Sequence, residues 1–183
     1  YKGIPFRVCK IDPDTANLKM SSYMASGMLK IKELGDSLQK EKKQLFFATN
    51  GGIFSEGYIP GGFFANKDSL LHPLNEREGA GNFHLQPNGV FYLRNNMEAG
   101  VAETQEFKEL ALEDIHLGVQ SGPMLVINNE IHPAFRDGSK NVHIRNGVGV
   151  DNEGNIVFVI SQKLTNLYTF ASLYKEKLGC KNA

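Results

Sequence analysis

The sequence predicts an α+β fold: a mostly antiparallel β-sheet packed with about two main helices. Short apolar runs recur along the chain, separated by clusters of Gly, Pro and Asn, and read as strands joined by turns. Only two stretches carry helical character worth naming. Glycine, at 19 of 183 residues, is somewhat enriched, which fits a fold with many turns.

A chain of 183 residues makes about one domain, with enough length for a proper core. No repeat, linker or low-complexity tract divides it, so 1–183 reads as a single domain. Formal net charge is zero and 41% of residues are hydrophobic. Net charge therefore creates no field that would recruit nucleic acid or an anionic membrane. No apolar stretch approaches the ~18 residues of a transmembrane helix. Cys9 and Cys180 stand near opposite ends, outside any CxxC spacing. They are either a bridge between the termini or two buried thiols, according to compartment.

In chain order, residues 4–11 (IPFRVCKI) read as a strand, and 17–22 as a returning strand. A helix follows over about 28–42, with Leu29, Ile31, Leu34 and Leu38 as a partial stripe. The run 45–48 (LFFA) reads as a buried strand, the organising one, ending in Thr49-Asn50-Gly51-Gly52. Residues 59–64 suggest a second strand entered through glycines, and 69–74 a third. Residues 82–85 and 90–93 read as hairpin arms around Pro87-Asn88-Gly89, because Asn-Gly favours tight hairpin turns. Strands are further expected at 98–104, 117–120, 124–127 and around Ile131. A weak helix is expected at 106–114 and a loop at 133–141. Residues 142–150 and 156–160 form a second hairpin around Asp151-Asn152-Glu153-Gly154. The best helix is 166–178: Leu167, Phe170, Leu173, Tyr174 and Leu178 share a face, Thr165 or Asn166 caps it, and Gly179 ends it.

Polar groups gather at the turns: Asn50-Gly51-Gly52, Asn82 with His84, Gln120-Ser121-Gly122, and His143 with Arg145. Paired glycines admit positive φ and can build an anion-binding nest; a plain tight turn uses them equally well. Residues two apart on a strand face one side, which pairs His143 with Arg145 and Asn82 with His84. Arg beside His suits an anion, or is an exposed cationic pair. His72 and His132 precede prolines and read as structural. No HxH or HExxH spacing supports a metal, and no cofactor is expected. Ser121 lacks a GxSxG context, so a hydrolase triad has little support.

Several segments, in this order, resemble one family. They are ATNGGIF (48–54), HPLNEREGAGNFHLQPNGVFYL (72–93), VQSGPMLV (119–126), RNGVGV (145–150) and NLYTFASLYKEKLGC (166–180). Together the chain resembles the phosphodiester glycosidase domain family, in its bacterial branch, relatives of the N-acetylglucosamine-1-phosphodiester alpha-N-acetylglucosaminidases. The resemblance implies that the mostly antiparallel sheet is curved, and it implies hydrolysis of a sugar–phosphate glycosidic bond in a small-molecule or glycan phosphodiester. Carried over, it implies Arg145 on the phosphate, aided by amides of Gly51 and Gly52. Asn50 and Gln120 bond sugar hydroxyls or position water, and His84 or His143 moves a proton. Asn82, Ser121 and Gly122 complete the substrate contacts. The family continues into a further strand ending in an Asp-Gly motif, so this sequence is expected to lack that strand and its aspartate. The alternative is a carbohydrate- or phosphate-binding module without turnover. Export to a periplasmic or extracellular space is expected by analogy, with a cytoplasmic location left open; oligomeric state is not indicated.

Overall fold

The computed structural model describes residues 1–21, 27, 30–67 and 69–183. The expected class holds: α+β, with antiparallel pairing between neighbouring strands. Eleven strands form among the described residues: β1 (Phe6–Ile11), β2 (Phe64–Asn66), β3 (Ser69–His72), β4 (Gly89–Arg94), β5 (Ala99–Glu103), β6 (Ile115–Ser121), β7 (Val126–Ile127), β8 (Glu130–Ile131), β9 (Asn146–Asp151), β10 (Ile156–Ser161) and β11 (Cys180–Asn182). Two helices of ten residues, α1 (Ile31–Lys40) and α3 (Leu167–Glu176), are joined by the five-residue α2 (Thr104–Lys108).

The strands divide into a four-stranded sheet, β1-β10-β9-β11, a five-stranded sheet, β3-β2-β6-β4-β5, and the β7-β8 hairpin. The period-2 alternation of side chains explains how they stack. On β10, Val157 and Val159 join Phe170, Leu173 and Tyr174 of α3 in one core. The alternate residues Ile156 and Phe158 meet Phe91, Leu93 and Leu117 of the five-stranded sheet in a second. On β4, Phe91 and Leu93 face the other sheet, while Val90 and Tyr92 turn to Phe107 of α2. The layers therefore run α3, four-stranded sheet, five-stranded sheet, α2. Strands β4 and β10 are largely apolar on both faces because both faces are covered.

Local signals account for the most regular elements. Asn166 Oδ1 accepts from Thr169 N at 2.8 Å, satisfying one free donor at the start of α3. Gly179, at φ +65°, ends it. Asn128 and Asn129 both take positive φ (47° and 66°), the requirement of a two-residue primed turn, and close the β7-β8 hairpin. Asp151 Oδ1 accepts from the backbone N–H groups of Glu153 and Asn155, fixing the β9-β10 turn.

Other expectations are corrected. Residues 45–48 form no strand, and Phe46 is 89% exposed. Apolar composition reports a tendency to be buried, whereas a strand needs a neighbour to pair with; Leu45, Phe47 and Ala48 are partly covered, Phe47 against Phe158 at 5.3 Å between ring centroids, yet none pairs in a sheet. Residues 17–21 are irregular, and Ser22, Met28 and Leu29 lie outside the described residues. Asn82–His84 is a 3₁₀ turn and no hairpin arm; β4 pairs instead with β5 and β6. Cys9 on β1 and Cys180 on β11 sit on opposite edges of one sheet, and both are free. Three strand spacings of ~4.8 Å put them about 14 Å apart, beyond the ~7 Å Cα limit for a bridge. Burial pushes the Cys180 thiol up to about 12, so it is inert.

His132 is buried against Phe135 and structural, as its position before Pro133 suggests. Its Nδ1 accepts from Ala134 N (3.1 Å) and its Nε2 lies 3.0 Å from the Gln86 carbonyl, which it reaches as a neutral Nε2–H donor. Burial lowers its pKa below the usual imidazole value. The unfolded chain then binds the extra proton first, so this contribution is present above pH ~6.5 and is lost as pH falls below it. Urea unfolding at pH 8 and pH 5 is expected to show the native chain losing stability at the lower pH, with a shallower loss in His132→Gln.

Candidate functional site

One end of the interface between the two sheets opens into a cavity of about 270 Å³. Its apolar walls come from both sheets, with Phe91 and Val119 on one side and Val148 and Phe158 on the other. Its polar groups come from the chain segments at the sheet ends. Asn50, Gly51, Gly52, Asn82, Ser121, Gly122 and Arg145 all line it, so seven of the ten sequence candidates are brought together. Thr49 and Asn146 are added by the structure.

Asn146 anchors the segment 49–52. Its Nδ2 donates toward Thr49 Oγ1 (3.0 Å), Asn50 Oδ1 (3.1 Å) and Asn50 O (3.2 Å). This ties an irregular segment to the first residue of β9. Neither Gly51 nor Gly52 takes a positive φ, so of the two readings of this turn the αR–αL nest of amides is not the one formed. Gly52 is required for space: a Cβ there would stand 2.7 Å from Gln120 O and 2.9 Å from Val119 Cγ2. The side chains of Asn82 and Ser121 make no hydrogen bond to other described residues, which leaves an amide and a hydroxyl for a ligand.

Arg145 is held by its backbone: its N–H donates to Ser161 Oγ and its carbonyl accepts from Ser161 N, each at 2.8 Å. One side of its guanidinium is steered by Asn141 (Nη2 to Oδ1, 3.0 Å) and by the Thr165 carbonyl (Nε, 3.4 Å). Burial lowers its pKa from the usual value, yet a guanidinium stays charged at neutral pH. No acid among the described residues forms an ion pair with it. A half-buried cation without a counter-charge is costly, and an anionic ligand would supply the missing partner.

Three candidates lie elsewhere. Gln120 is 1% exposed and turned away from the cavity. Period-2 alternation on β6 decides this: Val119 and Ser121 line the cavity, so Gln120 between them cannot. Its Oε1 accepts from Phe63 N (3.0 Å) and Asn75 N (2.9 Å), and its Nε2 donates to Asn75 O (2.8 Å) and Thr104 Oγ1 (3.0 Å). His84 points its Nδ1 at Arg77 O (2.8 Å); the two-apart rule that paired it with Asn82 fails because that segment is a 3₁₀ turn. His143 is exposed in an isolated bridge to Thr165, before β9 begins, so strand parity does not join it to Arg145. No Asp, Glu or His side chain lines the cavity among the described residues. These residues also hold no group of three or more His, Cys, Asp or Glu able to take a metal, and no helix long and apolar enough to cross a membrane.

Two facing antiparallel sheets thus enclose, at one end, a cavity that carries one guanidinium among neutral polar groups. The family follows from comparison: the model for the phosphodiester glycosidase (NAGPA) domain matches residues 43–183, and the chain belongs to that family. The chain is 36% identical over 175 residues to the Uncharacterized protein YigE of Escherichia coli (strain K12). That match covers 92% of this chain and 66% of the relative's length. Among solved structures it is similar to the zebrafish N-acetylglucosamine-1-phosphodiester alpha-N-acetylglucosaminidase (NAGPA) catalytic domain auto-inhibited by pro-peptide. The TM-score is 0.50 at 18% identity, over 73% of this chain and 47% of that one, a likeness of fold.

Gln120 is expected to be a stability residue. Gln120→Leu strands three backbone groups of Phe63 and Asn75, each worth about 1–3 kcal/mol when left unpaired. A loss on the order of 3–5 kcal/mol in urea denaturation is the expected result; an unchanged midpoint with weakened ligand binding would instead place Gln120 on the ligand.

Proposed function

We propose that the chain hydrolyses the glycosidic bond of a glycosyl phosphodiester, with the phosphate held by Arg145 and the sugar by the amides and hydroxyl of Asn50, Asn82 and Ser121. The observation that carries this reading is the uncompensated guanidinium in a cavity otherwise furnished with neutral hydrogen-bonding groups. Water adds to the anomeric carbon, the bond from that carbon to the phosphate oxygen breaks, and free sugar and a phosphate monoester leave.

The leaving group makes such a site plausible without a carboxylic acid on its walls. Glycoside hydrolysis generally needs an acid because an alcohol leaves poorly. A phosphate monoester has a second pKa near 6 and departs as an anion. A fixed positive charge placed on its oxygens stabilises the charge that develops there. Arg145, steered on one side by Asn141 and Thr165, is suited to that task. Asn50 or Ser121 can orient the attacking water by hydrogen bonding.

A second reading is favoured by one observation: no described lining residue can act as a general base. On that reading the cavity binds the phosphodiester and leaves it intact. The zebrafish relative's name points to N-acetylglucosamine as a first sugar to try. Incubating the chain with N-acetylglucosamine 1-(methyl phosphate) and related hexosyl esters, and following released reducing sugar, separates the two. Turnover is expected, with kcat/KM down by about 10²-fold or more in Arg145→Ala and partly restored in Arg145→Lys, since Lys lacks the planar fork. Saturable, Arg145-dependent binding without sugar release establishes the second reading; no binding at all overturns both.

A further inference from the structure

The amide nitrogen of Asn146 faces three oxygens, and one of them fixes the polarity of the whole group. The Asn50 carbonyl, at 3.2 Å, belongs to the main chain and only accepts. The end of the Asn146 carboxamide that faces it is therefore the donating NH2. The Asn50 side-chain atom 3.1 Å from the same nitrogen must then be an acceptor, the Oδ1 end. Thr49 fits the same order: its Oγ1 accepts from Asn146 Nδ2 (3.0 Å) and donates toward Asn50 Oδ1 (3.5 Å). One main-chain carbonyl thus sets the direction of two carboxamides. Asn50 lines the cavity, and its own NH2 bonds to no other described residue.

Resting on the phosphodiester reading, we infer that Asn146 is a positioning residue: it turns Asn50 so that only hydrogen-bond donors face the ligand, and Asn50 donates to a hydroxyl oxygen of the sugar. The orientation is held on both sides. If the Asn50 amide turned over, its NH2 would meet the NH2 of Asn146, and each donor facing it would lose an acceptor. Two residues on, the backbone at Gly52 lies against Gln120 O and Val119, too close to admit a Cβ. The segment is thereby held between Asn146 of β9 and the backbone of β6.

The polarity decides what Asn50 does. A water about to attack carbon is activated by an acceptor that draws on its proton, and a donor placed on its oxygen does the reverse. Of the two groups that can orient the attacking water, this leaves Ser121, whose hydroxyl oxygen accepts. A sugar hydroxyl suits Asn50, because it accepts through its oxygen while giving its proton elsewhere.

The probe is the methyl ester of the C-glycosyl phosphonate of N-acetylglucosamine, in which a methylene replaces the anomeric oxygen so that no turnover intervenes. Each sugar hydroxyl in turn is replaced by hydrogen, which neither donates nor accepts, or by fluorine, which accepts weakly and does not donate. Binding to the full chain is read by isothermal titration. At the hydroxyl that meets Asn50, the deoxy analogue is expected to bind about tenfold more weakly than the parent, and the fluoro analogue at least about threefold tighter than the deoxy. In Asn50→Ala the two analogues bind alike at that position. In Asn146→Asp the acceptor-only side chain draws the Asn50 NH2 to itself and turns Oδ1 to the ligand, so the fluoro analogue becomes the weaker one. The added carboxylate, next to Arg145 in the chain, weakens both phosphonates equally and cancels in their ratio, and mere loosening of the segment would not invert that ratio. If Asn146→Asp does not fold, the native ratio and its loss in Asn50→Ala decide the matter. Fluoro analogues no tighter than deoxy at every hydroxyl, or a preference that Asn50→Ala leaves intact, overturn the inference while the phosphodiester reading stands. Failure of the parent phosphonate to bind the native chain overturns the phosphodiester reading, and this inference with it. Parent binding that survives Arg145→Ala overturns the placing of the phosphate on Arg145 and leaves the polarity of Asn50 to be read from the same ratios.

Discussion

A carboxamide with no access to solvent organises the far side of the candidate site. Gln120 supplies two acceptor and two donor bonds, and each is used. It joins β6 to the segment entering β2, to the loop at Asn75 and to Thr104 at the start of α2. Thr104 in turn donates to Asn88 Oδ1 (2.6 Å), and Asn88 Nδ2 donates to Phe83 O (2.9 Å). A buried polar network is favourable only when it is fully satisfied, and this one links five separate segments through such bonds. Its geometry also restricts neighbours. A Cβ at residue 62 would stand 2.1 Å from Gln120 Oε1, so Gly62 can be nothing larger while the amide keeps its place. The strand residue beside Gln120 is Ser121, which faces the cavity. The network thus fixes the backbone that presents Ser121 and Gly122, and through the Gly52 contact with Gln120 O it fixes the first wall as well.

Arg145 is anchored quite differently, in the other sheet. Ser161 at the end of β10 clamps its backbone, and the β9-β10 pairing carries that position down the four-stranded sheet. The relative placement of Arg145 and Ser121 therefore depends on how the two sheets pack. Phe91 of β4 and Phe158 of β10, with ring centroids 6.1 Å apart, lie at that packing and line the cavity. A ligand touching both the guanidinium and the Ser121 side spans the two sheets, so its binding energy adds to the cohesion between them.

What could be read from sequence and what could not divides along a physical line. Signals that act within a few residues were legible: the Asn166 cap and Gly179 stop of α3, the Asn128-Asn129 turn, the Asp151–Gly154 hairpin. Each depends on backbone groups close in the chain. The run at 45–48 was not, because a strand depends on a partner from elsewhere, and composition alone cannot reveal that none pairs. The convergence of Gly51, Ser121 and Arg145 on one cavity came through the resemblance of ordered motifs, since nothing local relates residues so far apart. The inward role of Gln120 is legible from alternation alone. Ser121 and Gln120 are adjacent on a strand, and alternation forbids both from facing one cavity. His84 failed for the opposite reason, because alternation was applied to residues that form no strand.

The proposed reaction is the one that a cavity with no Asp, Glu or His side chain on its described walls would find least demanding. A site that must expel an alkoxide needs a proton delivered as the bond breaks, and neutral amides cannot deliver one. A site that expels a phosphate monoester needs mainly a cation in the right place. On the proposed reading Arg145 is the group that would meet that need, because an ion-paired guanidinium would already be neutralised and would gain less from an incoming phosphate. The same feature disfavours occupation by cations and by plain neutral sugars, which leave the charge unpaired. On the proposed reading, one half-buried charge surrounded by groups that can bond hydroxyls is the feature that would favour a phosphorylated glycosyl ligand over either.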